Sequence, residues 1–407
     1  MTTAIPLSSV ALRCVSVPHH VNNMYYHPPL SVFHIDISPT SPYDASYLTL
    51  PPSLLLALHP VPRPSSSPSP LPIYSGSVAP RPTRRVVAAR AADDIFANYT
   101  PKNAFFFPGQ GAQYLGMAKS LTDAHPTAKD LFDSASSILG YDLLQICTEG
   151  PEDKLNTTAI SQPAIYVASL AAIEAIKADK GQDYLDSIDV CCGLSLGEYT
   201  SLTFAGAMSF EDGVRLVKTR GEAMQAAADL KPSGMASVIG LDSDKVQEMC
   251  AAITADVGED DMVTLANFLC PGNYAVSGGI KGIEAVEARA KADFKAKMAV
   301  RLSVAGAFHT SYMAPAAEKL AEALANTTLS APRIPVISNV DVAPHSDPET
   351  IKEILKQQLT GPVMWEKTLV TLKEKGLESG VEVGPGKVIA GIWKRIDRKF
   401  PVTNVEA

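Results

Sequence analysis

Asn103-Ala104-Phe105-Phe106-Phe107 is a short apolar run that predicts a strand, and Pro108-Gly109-Gln110-Gly111-Ala112-Gln113 turns the chain after it. Helical spacing follows over 114–119, 128–139 and 161–177. Ser187-Ile188-Asp189-Val190-Cys191-Cys192 reads as a second strand, and Glu198-Tyr199-Thr200-Ser201-Leu202 can start a helix. Ser209 predicts the cap of a further helix, with Asp212 at the capping-box position and Val214, Val217, Gly221 and Met224 on one face.

The pattern changes over 235–304. Strands at 235–241, 262–266, 273–277 and 297–304 enclose helices at 243–254 and 280–293. That β-α-β-β-α-β order is the ferredoxin-like unit, and it predicts a small domain over 231–304 inserted into a larger α/β domain. The larger domain spans 101–230 and 305–407, with α/β alternation resuming at strands 335–340 and 380–383.

Composition separates residues 1–90 from the rest. They hold 16 of the 31 prolines, 14 serines, six arginines, no lysine, and only Asp36 and Asp44 as acids. Clusters such as Pro64-Ser65-Ser66-Ser67-Pro68 cannot pack a core. A basic, Ser-rich, acid-poor start predicts an organelle transit peptide or disordered leader, with 84–91 as the processing region. Its length and high Ser/Pro content, without an amphipathic Arg helix, favour the plastid (chloroplast) stroma; the mitochondrial matrix is the alternative. Six arginines against two aspartates give this stretch +4, so the remaining chain carries −12 of the total −8. That acidity argues against non-specific nucleic-acid binding. No apolar run reads as a membrane span. Cys191 and Cys192 read as small core residues, and neither a disulfide framework nor metal-ligand spacing is visible.

Gly193-Leu194-Ser195-Leu196-Gly197 sits between the second strand and its helix, the context of a nucleophile elbow. Glycines let the chain turn where a Cβ would clash. The turn exposes the Ser195 hydroxyl and aims the Leu196 N–H at a developing oxyanion. A serine nucleophile needs a base in reach. Only His125, His309 and His345 lie after residue 90. His309 falls where the small domain ends, so a site between the domains would place it over the elbow; elimination favours it over His345. Arg220 borders the buried face of its helix and needs an anionic partner. Either a distant protein carboxylate or a substrate anion supplies it. The loop 109–113 fails the G-x-G-x-x-G spacing, and Gly384-Pro385-Gly386-Lys387 lacks that of a phosphate-binding loop.

Together, 107–113, 193–199, Arg220, Gly306-Ala307-Phe308-His309 and 382–387 resemble the malonyl-CoA:acyl carrier protein transacylases of type II fatty-acid synthesis. The likeness runs from about residue 100 to the C-terminus. It implies an α/β-hydrolase-like large domain with the ferredoxin-like insert. It implies Ser195 as nucleophile, His309 as base, the Gln358 backbone carbonyl as the group orienting the histidine, and Gln110 with the Leu196 N–H as oxyanion hole. It further implies Arg220 on the malonyl carboxylate, Phe308 in acyl selectivity, malonyl-CoA as substrate rather than cofactor, and no cofactor or metal. Leu194 and Gly361 depart from the family's usual histidine and asparagine. Acyl carrier protein is the implied partner, and Lys394, Arg395, Arg398 and Lys399 are the best cluster for docking it. The rivals are a serine thioesterase or esterase, whose order would put a histidine near the C-terminus, and a non-catalytic acyl-carrier-binding module, which would not need Ser195, His309 and Arg220 together.

Overall fold

Phe105 and Phe107 face one side of strand β1 (Asn103–Phe107), and Ala104 and Phe106 face the other. Both faces are buried, as expected of a strand inside a parallel sheet. The computed structural model describes residues 95–407; the expected leader over 1–90 and processing region over 84–91 lie outside the described residues. β2 (Val190–Gly193) and β8 (Ser379–Val383) flank β1. β7 (Val336–Ile337) and β9 (Val402–Val405) complete a five-stranded parallel sheet of order β7-β2-β1-β8-β9. Adjacent Cys191 and Cys192 point to opposite faces of β2 and are both free thiols. Burial pushes Cys191 up to about 12 and Cys192 well above its ordinary value, so both act as small core residues.

The second sheet is antiparallel. β3 (Ser233–Ile239), the helix Ser243–Val257, β4 (Val263–Cys270), β5 (Asn273–Gly279), the helix Ile280–Arg289 and β6 (Met298–Arg301) follow in the expected order. They assemble as β4-β5-β3-β6 over their own core, which includes Val238, Met249, Ile253, Val276 and Ile283. The fold is thus α/β with one parallel and one antiparallel sheet.

Two helices set the depth of the site. Thr158–Lys180 is the one helix among the described residues long and apolar enough to cross a membrane, a length that the sequence reading passed over. Its span is mostly buried because it is the central core helix, packed on Phe210–Leu230. Gly221 permits that approach: a Cβ there would come 2.7 Å from the Thr158 carbonyl oxygen. Ser209 caps Phe210–Leu230 by accepting the Asp212 N–H, while the Asp212 carboxylate pairs with Arg215.

One expected helix is absent. Residues 114–118 form turns, and the helix begins only at Lys119, because Gly116 and Ala118 adopt positive φ (97° and 67°) that a helix cannot hold. The expected strand 297–304 is also shorter, pairing with β3 only over Met298–Arg301.

Candidate active site

The parallel sheet aims the ends of β1 and β2 at one place. β2 stops at Gly193, Ser195 turns with φ 52° and ψ −97°, and the helix Leu196–Phe204 begins at once. A Cβ on Gly193 would fall on the Gly197 backbone, and one on Gly197 on the Phe107 carbonyl. The tight elbow therefore requires both glycines. Asn339, just past β7, buckles it from outside: its Oδ1 accepts the Ser195 N–H at 2.6 Å and its Nδ2 donates to the Gly193 carbonyl at 2.8 Å. A positive φ is costly for serine and persists where the surroundings over-determine it.

His309 Nε2 lies 2.9 Å from Ser195 Oγ. Its Nδ1 lies 2.8 Å from the Gln358 backbone carbonyl, an acceptor only, so Nδ1 carries the proton and Nε2 presents its lone pair to the serine. His309 itself has φ 61° and is buried. Burial, reinforced by the Arg220 charge, pushes the imidazole down to about 4. It is neutral at pH 7. His345, the histidine weighed against it, pairs with Asp341 at 2.9 Å and does not line the cavity.

Arg220 is 1% exposed and reaches the same serine, with Nη2 3.0 Å from Ser195 Oγ. Its other partners are neutral: Gln162 Oε1 at 2.7 Å and Gln358 Oε1 at 2.9 Å. The guanidinium also lies 5.1 Å from the Tyr199 ring centroid. Among the described residues no carboxylate forms an ion pair with Arg220, and its Nε has no partner. Of the two partners open from sequence, a protein carboxylate in direct contact is absent.

These groups border a cavity of about 530 Å³. Gln110, Leu194, Phe308 and Met224 line it, together with Met235, Asn267 and Ala275 of the antiparallel sheet. Gln110 donates from Nε2 to Thr158 Oγ1 at 3.2 Å, and its Oε1 is buried without a partner. Leu196 opens its helix, so its N–H is among the start donors that have no intrahelical acceptor. Of the four basic residues near the C-terminus, all exposed, Arg395 alone lines the cavity. Glu382 holds the helix Val388–Ile396, which carries Lys394 and Arg395: its carboxylate accepts the Ile389 and Ala390 N–H groups at 2.9 Å each.

Sequence reasoning missed three polar residues. Gln162, Asn339 and Glu198 are buried and bonded into the elbow and Arg220. For Glu198 a signal existed, since it is an acid at the start of a helix whose context is otherwise apolar. It also missed the Gln358 side chain, having assigned only its backbone.

A serine bonded to a neutral imidazole, beside an unpaired buried cation and an open cavity, defines a site able to take an acyl group and pass it on. The comparisons narrow this. The acyl transferase domain family matches residues 104–400. The malonyl CoA-acyl carrier protein transacylase of Bacillus subtilis (strain 168) is 40% identical over 299 residues, covering 74% of this chain and 92% of the relative. A mitochondrial malonyl-CoA-acyl carrier protein transacylase of Mus musculus is 36% identical over 327 residues, 77% of this chain and 84% of the relative. A solved malonyl-transacylase in complex with a type II PKS acyl-carrier protein superposes with a TM-score of 0.70 at 36% identity, over 74% of this chain and 95% of that one. The chain belongs to the acyl transferase domain family and, within it, to the malonyl CoA-acyl carrier protein transacylases.

Proposed function

We propose that this chain transfers the malonyl group of malonyl-CoA to the phosphopantetheine thiol of acyl carrier protein through a malonyl ester on Ser195. The observation that carries the reading is the double contact of Ser195 Oγ, 2.9 Å from a neutral imidazole nitrogen and 3.0 Å from an unpaired guanidinium. His309 Nε2 takes the hydroxyl proton as Ser195 Oγ attacks the thioester carbonyl. Gln110 and the Leu196 N–H hold the oxyanion. The carbon–sulfur bond breaks, and His309 returns its proton to the departing CoA sulfur. In the second half His309 takes the proton of the carrier thiol, whose sulfur attacks the ester; the proton returns to Ser195 Oγ. Arg220 pairs with the free malonyl carboxylate throughout, and Phe308 borders the acyl end of the cavity. No step calls on a metal or cofactor. A thioesterase or esterase leaves Arg220 without a task, and a non-catalytic carrier-binding module leaves the Ser195–His309 contact without one.

Finer readings accompany this one. The β3–β6 order supports a ferredoxin-like insert over 231–304, and the elbow on a parallel sheet supports an α/β-hydrolase-like domain over 101–230 and 305–407. Lys394, Arg395, Arg398 and Lys399 are the docking patch for an acidic carrier, supported by the place of Arg395 at the cavity. Residues 1–90 direct the chain to the plastid stroma; the mouse relative, mitochondrial by name, supports the matrix as the alternative. Intact-mass measurement with malonyl-CoA tests the function. A malonyl adduct is expected on the wild type and not on Ser195→Ala; an adduct persisting on the variant refutes the nucleophile.

A further inference from the structure

Arg220 is connected to a carboxylate, but only through an amide. Gln358 Oε1 accepts from Arg220 Nη2 at 2.9 Å. Gln358 Nε2 donates to Glu198 Oε2 at 2.6 Å and to the Ser195 carbonyl at 3.0 Å. Glu198 Oε2 also accepts the Asn339 N–H at 3.1 Å, and Asn339 buckles the elbow. All four side chains are nearly or fully buried: Arg220 is 1%, Glu198 3%, and Gln358 and Asn339 0% exposed.

The two ends of a glutamine amide have nearly the same shape and opposite hydrogen-bonding character. Turned over, the Gln358 NH₂ would face the Arg220 guanidinium, donor against donor, and its oxygen would face Glu198. Burial raises the Glu198 carboxyl to about 7, but its Oε2 already takes both the Asn339 N–H and the Gln358 NH₂, so toward the amide it is an acceptor in either protonation state. Glu198 therefore fixes which way the Gln358 amide lies, and the amide fixes Arg220 Nη2. Burial makes the wrong orientation costly, because water cannot rescue the mismatched groups. The arrangement also keeps a carboxyl group near the guanidinium without occupying it. A carboxylate placed directly on Arg220 would compete with an acyl carboxylate for the same donors. One amide away, it leaves Arg220 without a directly bonded carboxylate.

We propose that Glu198 is a positioning residue for acyl selectivity: through the Gln358 amide it aims the Arg220 guanidinium at the acyl carboxylate beside Ser195. This rests on the reading of Arg220 as the malonyl-binding cation. Glu198 touches neither the substrate nor the reacting atoms. Its effect is therefore on the ratio of malonyl to acetyl transfer and not on the chemistry that both share.

The test compares kcat/KM for malonyl-CoA and acetyl-CoA, with acyl carrier protein as acceptor, in the full chain and three variants. Glu198→Ala is expected to lower the malonyl value about 10- to 100-fold, the range for losing a hydrogen bond to a charged group. The acetyl value should move less than about threefold. Glu198→Gln is expected to restore most of the ratio, because a single oxygen, Oε2, takes both bonds and the glutamine oxygen can replace it. Glu198→Met keeps the buried volume and removes the acceptor, so it should lose the ratio as Glu198→Ala does; it carries the test if the alanine variant does not fold. Equal losses for both acyl groups, or a glutamine variant no better than alanine, overturn the proposal. A wild type that takes no malonyl adduct, or an Arg220→Ala variant that keeps its malonyl preference, overturns the underlying reading as well. An unchanged ratio in Glu198→Ala with both of those controls intact overturns the positioning role alone.

Discussion

Arg220→Ala removes a guanidinium that is 1% exposed, held by three neutral oxygens and 3.0 Å from Ser195 Oγ. With malonyl bound, the variant loses a desolvated, charge-assisted pair. Losing one partner of such a pair costs about 2–5 kcal/mol. That corresponds to roughly 30-fold to several thousand-fold in kcat/KM for malonyl-CoA. Acetyl-CoA brings no carboxylate, so its slow transfer should stay within a few-fold of wild type. The structural cost is separate. The variant leaves Gln162 Oε1 and Gln358 Oε1 without their donor, at about 1–3 kcal/mol each. Relief from burying an unpaired cation offsets part of that. Arg220→Lys should recover little, because one ammonium cannot reach two amide oxygens and present two parallel donors to a carboxylate. The assay is kcat/KM for both thioesters, with a melting curve for each variant. Equal losses for the two acyl groups, together with a large fall in Tm, would refute the substrate-binding role and leave Arg220 as a structural cation.

His309→Ala should lower acyl transfer by about 10²- to 10⁴-fold, and the acid limb of kcat/KM in the wild type should fall near pH 4, where burial and Arg220 have moved this imidazole. A limb near 6.5 would show an unperturbed base. The lowered value carries a stability consequence of fixed sign: the unfolded chain takes the proton first, so the stability His309 contributes is present above about 6.5 and lost as pH falls toward 4. Glu382→Ala should cost about 2–3 kcal/mol by leaving the buried Ile389 and half-buried Ala390 N–H groups at the start of Val388–Ile396 without their acceptor; an unchanged Tm would show that the helix does not depend on it. Deleting residues 1–90 should leave kcat/KM within about twofold, since their composition cannot pack a core; a loss above about tenfold would place them in the folded enzyme.

The parts of the site that the sequence revealed are those whose cause is local. Gly193 and Gly197 are needed because the backbone doubles back within five residues, so the elbow is legible as a motif. The antiparallel sheet is legible because β4 and β5 are joined by the short turn Pro271-Gly272 and its strands alternate with two helices. Residues 114–118 mislead for the complementary reason: their spacing suits a helix, but Ala118 adopts a left-handed conformation that no residue pattern announces. The polar network was illegible because its bonds span 58 residues from Arg220 to Gln162, 144 from Ser195 to Asn339 and 160 from Gln358 to Glu198. Periodicity reports which face a residue occupies, not which partner waits across the fold. Arg220 joins the two cases. Its helix face showed that a cation would be buried, yet the sequence allowed either a protein carboxylate or a ligand to meet it. The structure puts the nearest bonded carboxylate one amide away, on the far side of Gln358. A buried guanidinium supplied with neutral acceptors and a serine hydroxyl at 3.0 Å is the observation on which the proposed malonyl-binding role rests. Gln358 bonds Arg220 through its side chain and His309 through its backbone, contacts that no periodicity in the sequence could announce.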